Sequence, residues 1–419
     1  MSLNSTPSAN RIHIGIFGRR NCGKSSLINA LTGQALSIVS DTKGTTTDPV
    51  LKAMELLPIG PVVFIDTAGL DDEGELGQLR ITKTYQMLNK TDIALLVIDS
   101  SVGMTVEDEN ILKKIQHKQI PYLIIHNKCD LPEKSTLSLA EHTEHTIEIS
   151  AKTGFHIREL KEKISTLLPK DVNGTPIVSD LISPNDFVVL VVPIDSSAPK
   201  GRLILPQQQI IRDILDTNAV SIVVKDTELK ETLENLGKTP RLVITDSQAF
   251  KQVSEIVPKS VLLTSFSILF ARYKGNLDTV TQGAFAIDQL KDGNTVLISE
   301  GCTHHRQCGD IGTVKLPNLL KKYTQKNLHF VFTSGEEFPS DLTKYHLIIH
   351  CGGCMLNERE MKYRLRCAKD MNVPITNYGI AIAKMNGILE RSLEPFTHRY
   401  KNLYNIGIIQ TTLKGDESE

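Results

Sequence analysis

The sequence predicts an α/β protein of three consecutive α/β units, spanning 1–170, 177–265 and 266–419. Three observations carry that expectation. Short apolar runs alternate with helix-length segments, the pattern of a doubly wound sheet. Pro169 and the polar stretch DVNGTP at 171–176 separate the first group of elements from the second. In the last third, two apolar runs lead directly into cysteines, where open α/β sheets hold their ligands.

In the first unit, Ile12–Phe17, Val62–Ile65, Ile93–Ile98 and Tyr122–Ile125 are continuous apolar runs of strand length, and Ile157–Leu168 has apolar residues at helical spacing. The second unit begins near Asp186. Its expected elements are the strand Phe187–Ile194, the helix Gln208–Leu215 and the strands Ala219–Val224, Arg241–Thr245 and Val261–Thr264. No residue pattern there carries a nameable chemistry, so a structural or oligomerising role is expected. In the third unit, Thr295–Ser299, Leu328–Phe332 and Tyr345–Ile349 are strand candidates, with helices over Asn357–Lys369 and Gly379–Met385.

Composition narrows the partners. The chain has 419 residues, enough for two to four domains at roughly 100–200 residues each. A formal net charge of -1 gives no global basic field toward nucleic acid or an anionic membrane. From 170 onward there is no Lys/Arg-rich stripe with interleaved aromatics, and the chain has no Trp. No apolar run approaches the ~20 residues of a membrane span. MSLNSTPSAN does not read as a secretory leader. Neither nucleic acid nor membrane is therefore an expected partner, and a cytoplasmic location is the expectation.

The first chemistry lies after Ile12–Phe17. GRRNCGKSS, Gly18 to Ser26, fits G-x-x-x-x-G-K-[ST], with Gly18, Gly23, Lys24 and Ser25 in the fixed slots. Glycines let the backbone N–H groups wrap phosphates, Lys24 compensates their charge, and Ser25 offers a hydroxyl to Mg2+. Asp66-Thr67-Ala68-Gly69 follows the next strand. Asp66 is expected to hold Mg2+ through water and the Gly69 amide to meet the γ-phosphate. Asn127-Lys128-Cys129-Asp130 has the N-K-x-D spacing that reads guanine, since the Asp130 carboxylate accepts from hydrogens that adenine does not present. Ser150-Ala151-Lys152 fits the last base-contacting loop. Four motifs in this order, each at a strand end, predict a P-loop GTPase domain turning GTP into GDP and phosphate.

Gly44-Thr45-Thr46-Thr47-Asp48 resembles the switch I segment of the tRNA-modification and Era-like GTPases, with Thr47 where an arginine is usual. The resemblance implies that Thr46 contacts Mg2+. It also implies that Asn21 helps bind a stimulating K+, as in potassium-dependent members. Leu70 stands where Ras-like enzymes have a water-orienting Gln; Glu73 and Glu75 are the candidates for that role, with Glu75 preferred.

Five of the seven cysteines lie between 302 and 367. Disulfides are not expected in a long chain with an odd count and no sign of secretion. Cys302-Thr303-His304-His305 and His350-Cys351-Gly352-Gly353-Cys354 place thiols and imidazoles at two strand ends. Cys302, His304, Cys351 and Cys354 suit a closed zinc site, and the three thiolates equally suit an iron–sulfur cluster with one iron poorly ligated. His305, His350 and Asp310 are further candidate donors, whereas Cys308 and Cys367 read as small hydrophobes.

Taken together, an Era-like GTPase module, a plain α/β unit and C-x-H followed after 45 residues by H-C-x-x-C resemble the HydF family of hydrogenase maturation factors over essentially the whole chain. That resemblance implies a four-iron, four-sulfur cluster on Cys302, Cys351 and Cys354 with a labile or non-cysteine fourth ligand, and a homodimer built through the middle domain. It implies a carrier that takes a di-iron precursor of the FeFe-hydrogenase active site from two radical-SAM maturases to the apo-hydrogenase, with GTP hydrolysis as a regulatory switch. The alternatives are an RNA- or ribosome-associated Era-like GTPase with a structural zinc domain and, after it, a redox enzyme using Cys351 and Cys354 as a dithiol.

Overall fold

The computed structural model describes residues 8–33, 50–70, 74–131, 144–168, 175–194, 203–301, 310–335 and 338–396. The chain divides into two compact units, Met1–Val172 and Asn173–Glu419.

The first unit is a six-stranded sheet among the described residues, in the order β2-β3-β1-β4-β5-β6. Its strands are β1 (Ile12–Phe17), β2 (Val50–Leu56), β3 (Gly60–Asp66), β4 (Ile93–Asp99), β5 (Tyr122–Asn127) and β6 (Thr146–Glu148). All pairings are parallel except β2 with β3. The central strands are apolar throughout because both faces are covered. Leu95 and Val97 pack with Leu27, Leu160 and Ile164 on one face, while Ala94, Leu96 and Ile98 pack with Ile111 and Ile115 on the other. Two strands carried no clear mark in the sequence. Edge strand β2 leaves Val50 and Leu51 exposed, and β6 is only three residues long.

The second unit holds two four-stranded parallel sheets. The first contains β7 (Phe187–Val191), β8 (Val220–Val224), β9 (Leu242–Thr245) and β10 (Leu262–Ser265), and the second β11 (Thr295–Ser299), β12 (His329–Thr333), β13 (Leu347–His350) and β14 (Ile375–Asn377). Read from one edge, the orders are β8-β7-β9-β10 and β12-β11-β13-β14. The same topology therefore occurs twice, although no sequence repeat is evident. In this order the chain winds one way from the first strand and the other way from the third. A crevice opens there, at the carboxyl ends of the strands. In the second sheet that place is the end of β11 beside the end of β13, where Ser299 pairs with His350.

One apolar cluster runs through both sheets, from Val188–Val191 and Leu263 to Leu297, Ile348 and Ile375. The alternate residues Val296, Ile298, Leu347 and Ile349 fill a second cluster on the far face of the second sheet. The helix Leu205–Asp216 begins earlier than Gln208 because Pro206 is tolerated in a first turn, where the Gln207 side chain accepts from the Ile204 N–H. The strand expected to reach Ile194 ends at Val191.

The helix Leu277–Phe285 meets β14 backbone to backbone at Gly283, where an added Cβ would lie 1.9 Å from the Ile375 carbonyl oxygen. Gly283→Ala should therefore destabilise the second unit by ~1–3 kcal/mol, the usual cost of overpacking. Urea unfolding followed by circular dichroism measures this, and a wild-type midpoint in the variant would mean the helix shifts at no cost.

Candidate functional site

Two groups of functional side chains lie at strand carboxyl ends, one in each unit. In the first unit the loop after β1 takes left-handed backbone at Gly23 (φ +97°) and Asn21 (φ +57°), and at Gly18 φ is +144°. A Cβ on Gly18 would lie 2.3 Å from the Val97 carbonyl oxygen, and one on Gly23 2.2 Å from Asn127 Nδ2. Lys24 is buried, and its Nζ donates to the carbonyls of Gly18 (2.8 Å) and Arg19 (2.7 Å). The two backbone carbonyls thus hold the ammonium over the loop.

Ser25 Oγ donates to Asp66 Oδ2 at 3.4 Å, which joins a hydroxyl from the first turn of the helix Lys24–Thr32 to a carboxylate at the end of β3. Burial pushes the Asp66 carboxyl up, and the Lys24 charge opposes that. These hard oxygen donors fit Mg2+. The Thr67 hydroxyl donates to the Ile16 carbonyl at 2.6 Å and fixes the chain that leads to Gly69. Leu70 is buried with Phe17, Leu88 and Ile98, so it takes no part beside a phosphate. Glu75 lies in the helix Gly74–Met87, with its side chain outside the described residues. Thr46 and Glu73 also lie outside them.

Asn127, the last residue of β5, ties the site together. Its Nδ2 donates to the Cys22 carbonyl (2.9 Å) and its Oδ1 accepts from the Ala151 N–H (3.0 Å). Lys128 has left-handed backbone (φ +65°), and its Nζ donates to Asp99 Oδ2 at 2.6 Å. Burial works against the Asp99 charge, but the bonds from Lys128 and Ser101 outweigh it and hold the carboxyl below its ordinary value. Ser150 is buried and its Oγ accepts from the Thr153 N–H (3.1 Å), shaping the loop that carries Ala151 and Lys152. Gly23, Ser26, Asn127, Lys128, Asp130, Ala151 and Lys152 line one cavity of about 390 Å3, within the ~300–1,000 Å3 usual for small-ligand sites. Asn29, Ala30 and Leu131 also line it and had no motif to mark them.

In the second unit, Cys351 follows β13 directly. Its Sγ accepts from the N–H groups of Gly301 (3.0 Å) and Gly353 (3.4 Å), which links the ends of β11 and β13 through sulfur. Gly353 is left-handed (φ +62°), and a Cβ there would press on the Met361 sulfur at 2.7 Å. Among the described residues, a Cβ on Gly352 would meet nothing within 4 Å. Burial pushes the Cys351 thiol up to about 11 against those two N–H donors, and burial also raises Cys354. A metal cation bound to the sulfurs would reverse that balance.

His350 is buried and both its ring nitrogens are engaged. Nε2 lies 3.0 Å from Arg364 Nη1, which can only donate, so Nδ1 carries the hydrogen and donates to the Cys351 carbonyl at 2.7 Å. Burial, then the Arg364 charge, holds the imidazole down to about 3. His350 is therefore a buttress behind Cys351, which corrects its standing as a candidate donor. Asp310 caps the turn that begins at Ile311, its Oδ2 accepting from the Thr313 N–H (2.9 Å) and hydroxyl (3.1 Å). Cys302, His304, His305 and Cys308 lie outside the described residues. Among the described residues no cluster of three or more His, Cys, Asp or Glu side chains is placed to hold a metal.

Missed by motif were Lys274 and Arg364. Lys274 Nζ donates to the carbonyls of Gly353 (3.3 Å), Cys354 (3.0 Å) and Leu356 (2.9 Å). Burial brings its ammonium down to about 8, while the two thiols pull it the other way. Arg364 is fully buried, pairs with Glu360 at 2.9 Å, and donates to His350 and to the Gly335 carbonyl.

Comparison with known proteins gives three family matches. Residues 13–128 match the 50S ribosome-binding GTPase family, 177–275 the hydrogen maturase F dimerization domain, and 278–395 the hydrogen maturase F tetramerization domain. The two maturase domains together take in more than half of the chain. GTPase Der of Wolinella succinogenes is 39% identical over 165 residues, covering 36% of this chain and 35% of that protein. The tRNA modification GTPase MnmE of Nitrosospira multiformis is 36% identical over 161 residues, covering 38% and 35%. The chain thus spans about a third of the length of these relatives. Among solved structures, Aquifex aeolicus Era bound to GDP·AlF4− has 23% identity and a TM-score of 0.34, covering 51% of this chain and 92% of that one.

Asn127→Ala should lower affinity for GDP by about 30- to 150-fold, since it removes two hydrogen bonds of ~1–1.5 kcal/mol each and unlinks the two loops. Titration with a fluorescent GDP analogue measures this. An affinity within twofold of wild type would mean that the loops hold their positions without it.

Proposed function

The chain belongs to the HydF-type hydrogenase maturases with a GTPase domain, and on that premise we propose that it is a GTP-hydrolysing scaffold and carrier. It receives a di-iron precursor of the FeFe-hydrogenase active site from two radical-SAM maturases and delivers it to the apo-hydrogenase. The observation that supports this best is the Cys351–Cys354 turn at the crevice between β11 and β13, with Gly301 bonded to the Cys351 sulfur and Cys302 next in sequence. Cys302, Cys351 and Cys354 would hold a four-iron, four-sulfur cluster. Three thiolates leave one iron for another donor, His304 or Asp310, and hence for exchange.

In the first unit Lys24 compensates phosphate charge, Ser25 and Thr46 hold Mg2+, and Asp66 reaches it through water. The Gly69 amide meets the γ-phosphate, and Asp130 selects guanine. With Leu70 packed in the core, Glu75 orients the attacking water, and K+ beside Asn21 supplies the positive charge an arginine finger gives elsewhere. The hydrolytic cycle acts as a switch on the partners. The chain works as a cytoplasmic homodimer formed through 177–265. Among the described residues no helix is long and apolar enough to cross a membrane.

The carrier role is tested by incubating the anaerobically reconstituted protein with both maturases, re-isolating it and adding it to apo-hydrogenase. Hydrogen evolution should appear with wild type and be lost with Cys351→Ser; equal activation by both contradicts the role. In the same preparations, GTP turnover at fixed Mg2+ should run faster in K+ than in Na+, and equal rates would remove the cation from the mechanism.

A further inference from the structure

Among the described residues, no carboxylate lies at ion-pair distance from Lys274, and Glu358 acts on its charge only from farther off. Lys274 is 2% exposed, and its three ammonium hydrogens go to three main-chain carbonyls of the turn that carries the thiols. The other deeply buried cations of this unit have carboxylate partners: Arg364 has Glu360 and Arg272 has Asp180. Glu358, the carboxylate nearest in sequence to the turn, is exposed, pairs with Lys362 on its own helix and acts on Lys274 less than the two thiols do. A buried charge without a counter-ion costs several kcal/mol unless something compensates it. Carbonyl dipoles do part of this. Among the described groups that act on the ammonium across the turn, the sulfurs of Cys354 and Cys351, with whatever they bind, come first and the Glu358 carboxylate after them.

The turn is polarised in the same sense. Its carbonyls at 353, 354 and 356 face Lys274, while the N–H groups of Gly301 and Gly353 face the Cys351 sulfur. The His350–Arg364 pair takes the Cys351 carbonyl from a third side. Positive ends of dipoles therefore point at the sulfur, and a fixed cation stands behind them. The nucleotide loop uses the same device, since Lys24 is held by the carbonyls of Gly18 and Arg19 in a site shaped for anionic phosphates.

We propose that Lys274 is the resident counter-ion of the thiolate site, a positioning residue whose charge stabilises the bound cluster and raises its reduction potential. This rests on the cluster assignment above. Each added electron makes the cluster more negative, so a nearby fixed cation favours the reduced form. The side chain also holds the turn, and charge and hydrogen bonding must be separated.

Lys274→Gln keeps an amide donor for the carbonyls and removes the charge, and Lys274→Arg keeps the charge. After anaerobic reconstitution, iron and sulfide are assayed and the midpoint potential is read by a redox titration followed by electron paramagnetic resonance, with GTP turnover as the control for folding. Lys274→Gln should keep its iron and titrate at least tenfold off in the ratio of reduced to oxidised cluster, about 59 mV lower for one electron. Lys274→Arg should stay near wild type. Iron lost in Lys274→Gln but kept in Lys274→Arg also supports the charge. An unchanged midpoint in Lys274→Gln, an equal shift in both variants, or loss of iron from both overturns the proposal and leaves Lys274 a cap on the turn. Absence of iron from wild type would refute the cluster assignment itself, a result distinct from these.

Discussion

Parallel strands buried on both faces leave chemistry one place to sit, the carboxyl ends of the strands. There the backbone leaves the ladder and its N–H groups become available. Every placed functional residue of the first unit follows from this. Gly18–Ser25 leaves β1, Asp66 ends β3, and Asn127 ends β5. In the second unit the same rule puts Glu300 and Gly301 after β11 and Cys351 after β13, close enough for the Gly301 N–H to reach the Cys351 sulfur. Glycine is required at these points because side chains would collide with neighbouring strands, as at Gly18 against Val97.

Both sites also solve one electrostatic problem in one way. Each prepares for an anion by aiming N–H groups at it and storing a lysine among main-chain carbonyls. Lys24 and Lys274 are both buried and both held by carbonyls. Among the described residues neither lysine is in ion-pair contact with a carboxylate, and Asp66 beside Lys24 and Glu358 beside Lys274 act on them only through space. Around the thiol turn, the Arg364–Glu360 pair and neutral His350 stiffen the scaffold without adding net charge near the sulfurs.

Much of this was legible in the sequence for a physical reason. A phosphate loop needs glycines at fixed intervals, and a strand covered on both faces must be apolar at every position, so β1, β3, β4, β11 and β13 stand out. Edge strand β2 alternates weakly, and β6 and β14 are three residues each, too short for a periodic pattern. Lys274 is 79 to 82 positions from the carbonyls it binds, and no local pattern marks it. His350 looked like a donor because it adjoins Cys351; its engagement became visible only with Arg364 in place behind it. Leu70 showed that a water-orienting Gln was missing, but not that its side chain enters the core.

The most direct test of the thiolate site is a metal and acid-labile sulfide assay after anaerobic reconstitution, run beside GTP turnover for wild type, Cys351→Ser and Cys354→Ser. Wild type should carry iron and sulfide in equal amounts, and both variants should lose them while turning over GTP at the wild-type rate. Stoichiometric zinc without sulfide in wild type would contradict the cluster and point to a closed structural site.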